Sequence, residues 1–296
     1  MQKKLLFVYN PRAGKNAIRS KLTDIVELFT AGGYDIFIHP TLGPGDATAT
    51  VKQWGEAADL IVCSGGDGTM DEVVSAVMET DPSKKIGYIP SGSTNDFANS
   101  LGLSKNLVKA AKDILEGNVY QCDIGAFNKK YFVYVAAFGA FTQIAYETDQ
   151  NLKNTIGHFA YLTQAGQQVF NLPSYHLHVK ADDQLIEGNY TYGMITNSRF
   201  VGGIPNITGA SVDMNDGLFE VTLVHTPTNP LELTEIFTTL LSKDILQSPL
   251  VEKYKASRIV IDAEDSIDWT LDGEFGGSCI RAEIRNLSKA IRICRP

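Results

Sequence analysis

Continuous apolar runs and helix-periodic segments alternate through the first 124 residues. LLFVY at 5–9 reads as a strand buried on both faces, and Ile18, Leu22, Ile25, Val26 and Phe29 then recur at helical spacing up to a stop at Gly32 and Gly33. DIFIH at 35–39, a helical segment over 46–57, LIVC at 60–63, a helix from Met70 and IGYI at 86–89 repeat the alternation. Crossovers of this length predict a parallel sheet covered on both faces, with ligand-binding turns at the carboxyl ends of its strands. After about Gly125 the pattern shortens to period two in YFVYV at 131–135, YHLHV at 175–179 and GNYTYGMIT at 188–196, interrupted by helical stretches near 149–170 and 229–245. The predicted fold is therefore α/β followed by β: an α/β domain over 1–124 and an antiparallel β-sandwich over 125–288.

Composition agrees with two domains. The 296 residues exceed what one core usually carries, and 44% hydrophobic with 20% charged residues is the balance of a chain that buries full cores. A formal net charge of −8 argues against nucleic acid as a partner held by phosphate neutralisation. Positive charge is nonetheless concentrated locally: Lys3, Lys4, Arg12, Lys15, Arg19 and Lys21 all precede the first acid, Asp24, and read as a basic patch or as a solvated helix face. No apolar run reaches the roughly 18 residues of a membrane span, and residues 1–9 lack a secretory pattern, so a cytoplasmic protein is expected. Cys63, Cys122, Cys279 and Cys294 show neither C-x-x-C nor zinc-ligand spacing and are expected as reduced, mostly buried thiols.

Three glycine-rich segments each follow a predicted strand: NPRAG at 10–14, SGGDGT at 64–69 and PSGSTNDFA at 90–98. Glycines there let backbone N–H groups approach a phosphate, and the start of the following helix adds a favourable dipole. One such loop alone is an ordinary turn, whereas three at successive strand ends favour a ligand. None matches GxGxxG with its ribose acid, nor GxxxxGK[ST]. Asp67 would repel an anion unless a cation lay between them, which suits a magnesium nucleotide; alternatively it caps the helix beginning near Thr69. WTLDGEF at 269–275 sets Asp272 and Glu274 around Gly273, a hairpin signal first and a catalytic pair as the alternative. VDMNDGLFEV at 212–221 places Asp213 and Asp216 three apart, which suits either a polar turn or, with backbone carbonyls, a hard cation.

The ordered set of NPRAG, Thr41 with Gly45-Asp46-Ala47, SGGDGT with Glu72 and Val73 behind it, IPSGSTNDFA at 89–98, NDGLF at 215–219 and LDGE at 271–274 resembles the diacylglycerol kinase catalytic-domain family, related to sphingosine kinases. The resemblance covers essentially the whole chain. It implies a nucleotide-binding α/β domain of the NAD-kinase and diacylglycerol-kinase type, a β-sandwich carrying lipid-binding and catalytic residues, and a tail over 289–296 that returns to the first domain. Asn10, Pro11, Gly14, Lys15, Thr41, Gly65, Gly66, Gly68, Thr69, Glu72, Gly92, Thr94, Asn95 and Asp96 match nucleotide-contacting positions. Asp67 matches the essential acid and Glu274 the general base, with Asp272 beside it in the catalytic set, while Asp213, Asp216 and the Leu218 carbonyl match a structural magnesium site. Where the family often reads PLGTGNDFAR, this chain has Ser91, Ser93, Thr94 and Asn99 and keeps Asn95-Asp96-Phe97.

The implied reaction is transfer of the γ-phosphoryl of ATP, with Mg2+, to a lipid hydroxyl, foremost that of diacylglycerol to give phosphatidic acid. The implied partners are ATP and a membrane lipid met by transient peripheral contact at the inner face of the membrane, with a homodimer as the expected assembly where one forms. Lys15 and Arg19 would face either nucleotide phosphate or anionic headgroups. Phe138, Phe141, Tyr146, Phe159, Tyr161 and Phe170 are candidates to line an apolar approach, with plain core as the alternative. Two other functions compete: a NAD kinase acting on a soluble dinucleotide, disfavoured by the distal DGE and NDFA, and a non-enzymatic nucleotide-binding regulator, disfavoured by the joint presence of Asp67 and Glu274.

Overall fold

A computed structural model describes residues 2–140, 172–205, 212–241 and 248–296. The chain divides into two compact units, Met1–Ile124 with Ser288–Pro296, and Gly125–Leu287. In the first, β1 (Lys3–Tyr9), β2 (Tyr34–Pro40), β3 (Leu60–Gly65) and β4 (Lys85–Pro90) run parallel in the order β2-β1-β3-β4. Every residue of β3 is buried, which a strand achieves only with helices on both faces. One face carries the 3-10 helix Ala13–Ser20, α1 (Leu22–Ala31) and α5 (Leu107–Glu116), whose Ile18, Ile25, Phe29, Ala111 and Ile114 cluster with Leu5, Phe7, Leu60 and Val62. The helical period from Ile18 to Phe29 is thus split between two helices that meet at Lys21. Against β1 and β3 lie α2 (Asp46–Trp54) and α3 (Asp67–Thr80), which bury Val51, Val73 and Val77.

The fifth strand of this layer comes from the far end of the chain. The long strand β15 (Glu274–Arg295) sets Arg292, Ile293 and Cys294 opposite Lys85, Ile86 and Gly87 of β4, in parallel. Its entry is fixed by Asp123, a fully buried acid on β5 (Asn118–Phe127) that accepts the Lys289 N–H at 2.7 Å.

One expectation fails here. The six early bases do not form a single patch, because Lys3 and Lys4 open β1 whereas Arg12, Lys15 and Arg19 follow its other end. At about 3.3 Å per residue, a seven-residue strand holds these groups on the order of 20 Å apart. Lys3 stands over the Tyr34 ring and Lys21 pairs with Asp24 at 3.2 Å.

The second unit is antiparallel. β9 (Gln184–Thr196) pairs with β12 (Phe219–His225), β7 (Val135–Gly139) and β8 (Tyr175–Ala181), and β14 (Arg258–Leu271) pairs with β7, β8 and β15. The two long strands therefore each pair with three others, β9 with β8 along its first half and with β7 and β12 along its second, and β14 with β8 near its start, β7 near its end and β15 along much of its length. β13 (Val251–Ala256) extends the sheet beyond β12, and the short β10 (Phe200–Val201) and β11 (Ile204–Pro205) pair with each other as a separate antiparallel hairpin. At the centre, Trp269 lies 4.9 Å from both Phe127 and Phe138, ring centre to ring centre, within a cluster that includes Phe132, Leu177, Val179, Phe219 and Ile284. Phe138 is wholly buried there, so it belongs to the core and lines no apolar approach. Phe141, Tyr146, Phe159, Tyr161, Phe170 and the helix expected near 149–170 lie outside the described residues. The helix expected over 229–245 is described as α6 (Pro230–Leu241).

YFVYV does not form one strand. β6 (Lys130–Phe132) stops before Val133 and β7 starts at Val135, because the N–H groups of Val133, Tyr134 and Val135 all turn to the carboxylate of Asp272. Successive N–H groups of a flat strand point to opposite sides, so three consecutive donors can meet one acceptor only where the strand is broken.

Candidate active site

Four glycine-bearing loops of the first unit, at 10–14, 41–45, 65–69 and 90–94, sit at the carboxyl ends of neighbouring parallel strands. Backbone hydrogen bonds sew them together: Asn10 N–H to the Ser64 carbonyl at 2.7 Å, Thr41 N–H to Tyr9 at 2.8 Å, and Ser91 and Gly92 N–H to Gly65 at 2.9 and 3.1 Å. Two glycines are needed for this contact rather than for a ligand. A β-carbon on Gly92 would stand 2.4 Å from the Gly66 Cα, and one on Gly14, whose φ is +48°, would stand 1.9 Å from the Ser91 carbonyl oxygen. NPRAG, SGGDGT and PSGST are therefore pressed backbone to backbone.

The helix starts behind these loops differ in what caps them. Glu72, one of the expected nucleotide contacts, directs both carboxylate oxygens to the Gly45 and Ala47 N–H groups at 2.8 and 3.0 Å and so caps α2. Asp67 accepts from the Asp96 and Phe97 N–H groups at 3.1 and 3.3 Å, which caps α4 (Asp96–Leu101). Its carboxylate also lies against its own N–H, the first of α3, whose N-cap is Gly66 and so has no side chain to offer; among the described residues no side chain accepts from the N–H groups of Gly68 and Thr69. Asn95, buried and at φ +53°, closes PSGST on itself by exchanging hydrogen bonds with both the N–H and the carbonyl of Gly92, at 3.0 and 2.9 Å. Glu72 and Asn95 thus hold loops in position, leaving the start of α3, where Gly68 is exposed and Thr69 half-buried, as the place where backbone donors and helix dipole are open to an anion. Asn10 reaches that start through its amide, 3.5 Å from the Thr69 hydroxyl. Pro11 lies in the turn after β1, Lys15 in the 3-10 helix beyond it, and Thr41 just past β2.

Burial pushes the Asp67 carboxyl above the ordinary aspartate range, against the pull of the N–H groups it accepts from. Positive charge nearby would favour its ionised form. Asp96 is buried at the head of α4, and Thr94 is exposed. The residues that depart from the family pattern pair with each other: the Asn99 amide donates to the Thr94 carbonyl at 2.8 Å and steadies the loop locally.

The remaining candidates belong to the second unit. Leu271 pairs with Glu274 across a two-residue turn in which Asp272 and Gly273 have φ of 50° and 88°, the geometry that twists with its strands and that Asp-Gly favours. The two acids of this turn are unlike. Asp272 is buried and takes three backbone N–H donors, two of them at 2.9 Å, so it is an anchor rather than a reacting group. Glu274 is exposed, and its carboxylate has no hydrogen-bond or ion-pair partner among the described residues.

Asp216 accepts the Leu218 N–H at 3.0 Å and lies 3.3 Å from the Lys255 ammonium, which also approaches Glu220 at 3.2 Å. Glu220 is buried with its Oε1 against that ammonium, and burial raises its carboxyl to about 7. Asp213 is exposed three residues before Asp216. The all-oxygen donor set of Asp213, Asp216 and the Leu218 carbonyl suits a hard cation, and Asp216 and the buried Glu220 share a single ammonium, which leaves a demand for positive charge there, so the residues present fit magnesium. Lys255 already meets part of that demand, a compensation that local spacing around NDGLF could not reveal. Asp123 and Glu220 went unnoticed in the sequence, although an acid inside an apolar strand run, CDIGAF or LFEVTLV, was the available signal.

Comparison with known proteins agrees with this architecture. Residues 4–127 match the model of the diacylglycerol kinase catalytic domain, and residues 135–294 match that of the YegS C-terminal NAD kinase beta sandwich-like domain. A diacylglycerol kinase of Bacillus subtilis (strain 168) is 31% identical over 299 residues, covering 99% of this chain and 97% of the relative. One from Staphylococcus carnosus (strain TM300) is 30% identical over 297 residues, covering 100% and 96%. A crystal structure of a diacylglycerol kinase from Bacillus anthracis str. Sterne superposes with a TM-score of 0.79 at 24% identity, covering 100% of this chain and 97% of that one, a likeness of fold. A parallel α/β layer with gathered glycine loops, joined to this kind of sandwich, is the two-domain architecture of these kinases. The chain belongs to the diacylglycerol kinase family.

Proposed function

We propose that the chain transfers the γ-phosphoryl group of ATP to the free hydroxyl of diacylglycerol, giving phosphatidic acid and ADP. The observation that carries this reading is the start of α3, uncapped at the centre of four converging loops, where neighbouring helix starts are closed by Asp67 and Glu72. The N–H groups of Gly68 and Thr69 take the phosphates, with the Asn10 amide beside them. Glu274 supplies the base: the lipid oxygen forms its bond to the γ-phosphorus, the bond to the ADP oxygen breaks, and the hydroxyl proton passes to the carboxylate. A free, exposed carboxylate can do this, while one already engaged by three N–H groups, as in Asp272, cannot.

Magnesium, when bound, offsets phosphate charge during transfer. Asp67 favours positive charge nearby, and Asp213, Asp216 and the Leu218 carbonyl would hold a second, structural ion. Exposed Arg12 within NPRAG and Arg19 in the 3-10 helix after it supply positive charge for phosphate or for anionic headgroups, about 1 kcal/mol each near a charged surface. The names of the relatives support diacylglycerol over a dinucleotide. The test is transfer of label from γ-labelled ATP in mixed micelles containing diacylglycerol, phosphatidylglycerol or sphingosine, with NAD in a parallel aqueous assay. Label is expected in phosphatidic acid; label in a dinucleotide, or hydrolysis alone, would overturn the reading.

A further inference from the structure

We propose that His176, His178 and Glu187 form a binding site for a zinc-class divalent ion, separate from the kinase residues above. Residues two apart on a strand share a face, and β8 buries Leu177 and Val179 in the core, so His176 and His178 both point outward. β9 places Glu187 directly opposite His178, and Asn189 opposite His176. The three ligand-bearing atoms lie within 4.8 Å of one another.

The spacing fits metal ligation better than hydrogen bonding. Glu187 stands between the rings, one oxygen 3.5 Å from His176 Nε2 and the other 3.4 Å from His178 Nδ1. Both distances are long for hydrogen bonds. Ligand atoms about 2.0–2.1 Å from a tetrahedral ion are about 3.4 Å apart, close to each histidine–carboxylate distance here, and the whole set lies within 4.8 Å. The outer partner is also in place: Asn189 Oδ1 is 3.1 Å from His176 Nδ1, a hydrogen bond that puts the ring proton on Nδ1 and leaves the Nε2 lone pair toward Glu187. Two imidazoles and a carboxylate favour zinc, nickel or copper over magnesium. Three protein ligands leave a position open, and His178 and Glu187 border a hollow of 840 Å3 through which water or a small anion reaches it, with Lys180, Arg258 and Arg281 on the wall.

The test is calorimetric titration of the full chain with zinc chloride, in the presence of excess magnesium chloride. One equivalent of zinc is expected to bind, Asn189→Ala is expected to weaken it roughly tenfold, and the double variant His176→Gln with His178→Gln is expected to lose it. The substituted side chains point away from the core, and an unchanged urea midpoint confirms that the variants fold. Zinc bound by the double variant as by the parent would move the site elsewhere, including to the partly exposed Cys279, and no heat of binding in the parent would leave only a surface ion network. Either result overturns the proposal.

Discussion

Two acids separated by one glycine carry opposite roles in a single turn. The Asp-Gly pair announced the turn in the sequence, and the positive φ values at Asp272 and Gly273 are its local consequence. That Asp272 would gather N–H groups 137 to 139 residues earlier was not legible, because no local pattern records a partner so distant. The difference has a measurable consequence. Asp272→Asn exchanges a charged acceptor of three buried donors for an amide that can turn only one oxygen to them, and it should lower unfolding free energy by about 2–3 kcal/mol in urea. Glu274→Gln, at an exposed and unpartnered site, should change it by less than about 0.5 kcal/mol. Equal losses in the two variants would mean that Glu274 is structural.

Among elements, the parallel layer was legible because buried strands and amphipathic helices carry different periods, and the loops were placed correctly at strand ends by that alternation alone. Which loop remains open was not legible, since caps made across loops, Glu72 to α2 and Asp67 to α4, join residues more than twenty apart. The glycines were read as leaving room for phosphate, whereas Gly66 and Gly92 first leave room for each other. Gly92→Ala should therefore push two backbones apart, costing about 1–3 kcal/mol and weakening ATP binding measured by calorimetry. Wild-type stability and affinity in that variant would show that the loops are loosely seated. At the start of β12, Asp213, Asp216 and Leu218 should respond to magnesium: the unfolding temperature of the parent should rise with magnesium and fall with chelator, and Asp216→Ala should abolish most of the rise. An unfolding temperature indifferent to both would show that Lys255 alone balances these acids.

For the molecule as a whole, the change from helical to two-residue period near Gly125 marked two kinds of architecture, and the match of 4–127 and 135–294 to different family domains reflects the same change. The order of strands in the second unit escaped the sequence, because β9 and β14 each pair with different strands at their two ends, and alternation reports which face is buried but not against whom. The break in YFVYV escaped for the reason given for Asp272. Function was legible to the extent that an ordered set of motifs resembled one family, whereas the exposure of Glu274 and the engagement of Asp272 are displayed only by the structure. The most direct measurement is single-turnover transfer of the γ-phosphoryl group from ATP to diacylglycerol in mixed micelles, for the parent and for Glu274→Gln at equal protein concentration. The account predicts a rate lower by roughly 10² to 10⁴ fold in the variant with ATP affinity unchanged, because a proton acceptor acts only in the transition state. A variant that transfers phosphate at nearly the parental rate would contradict it.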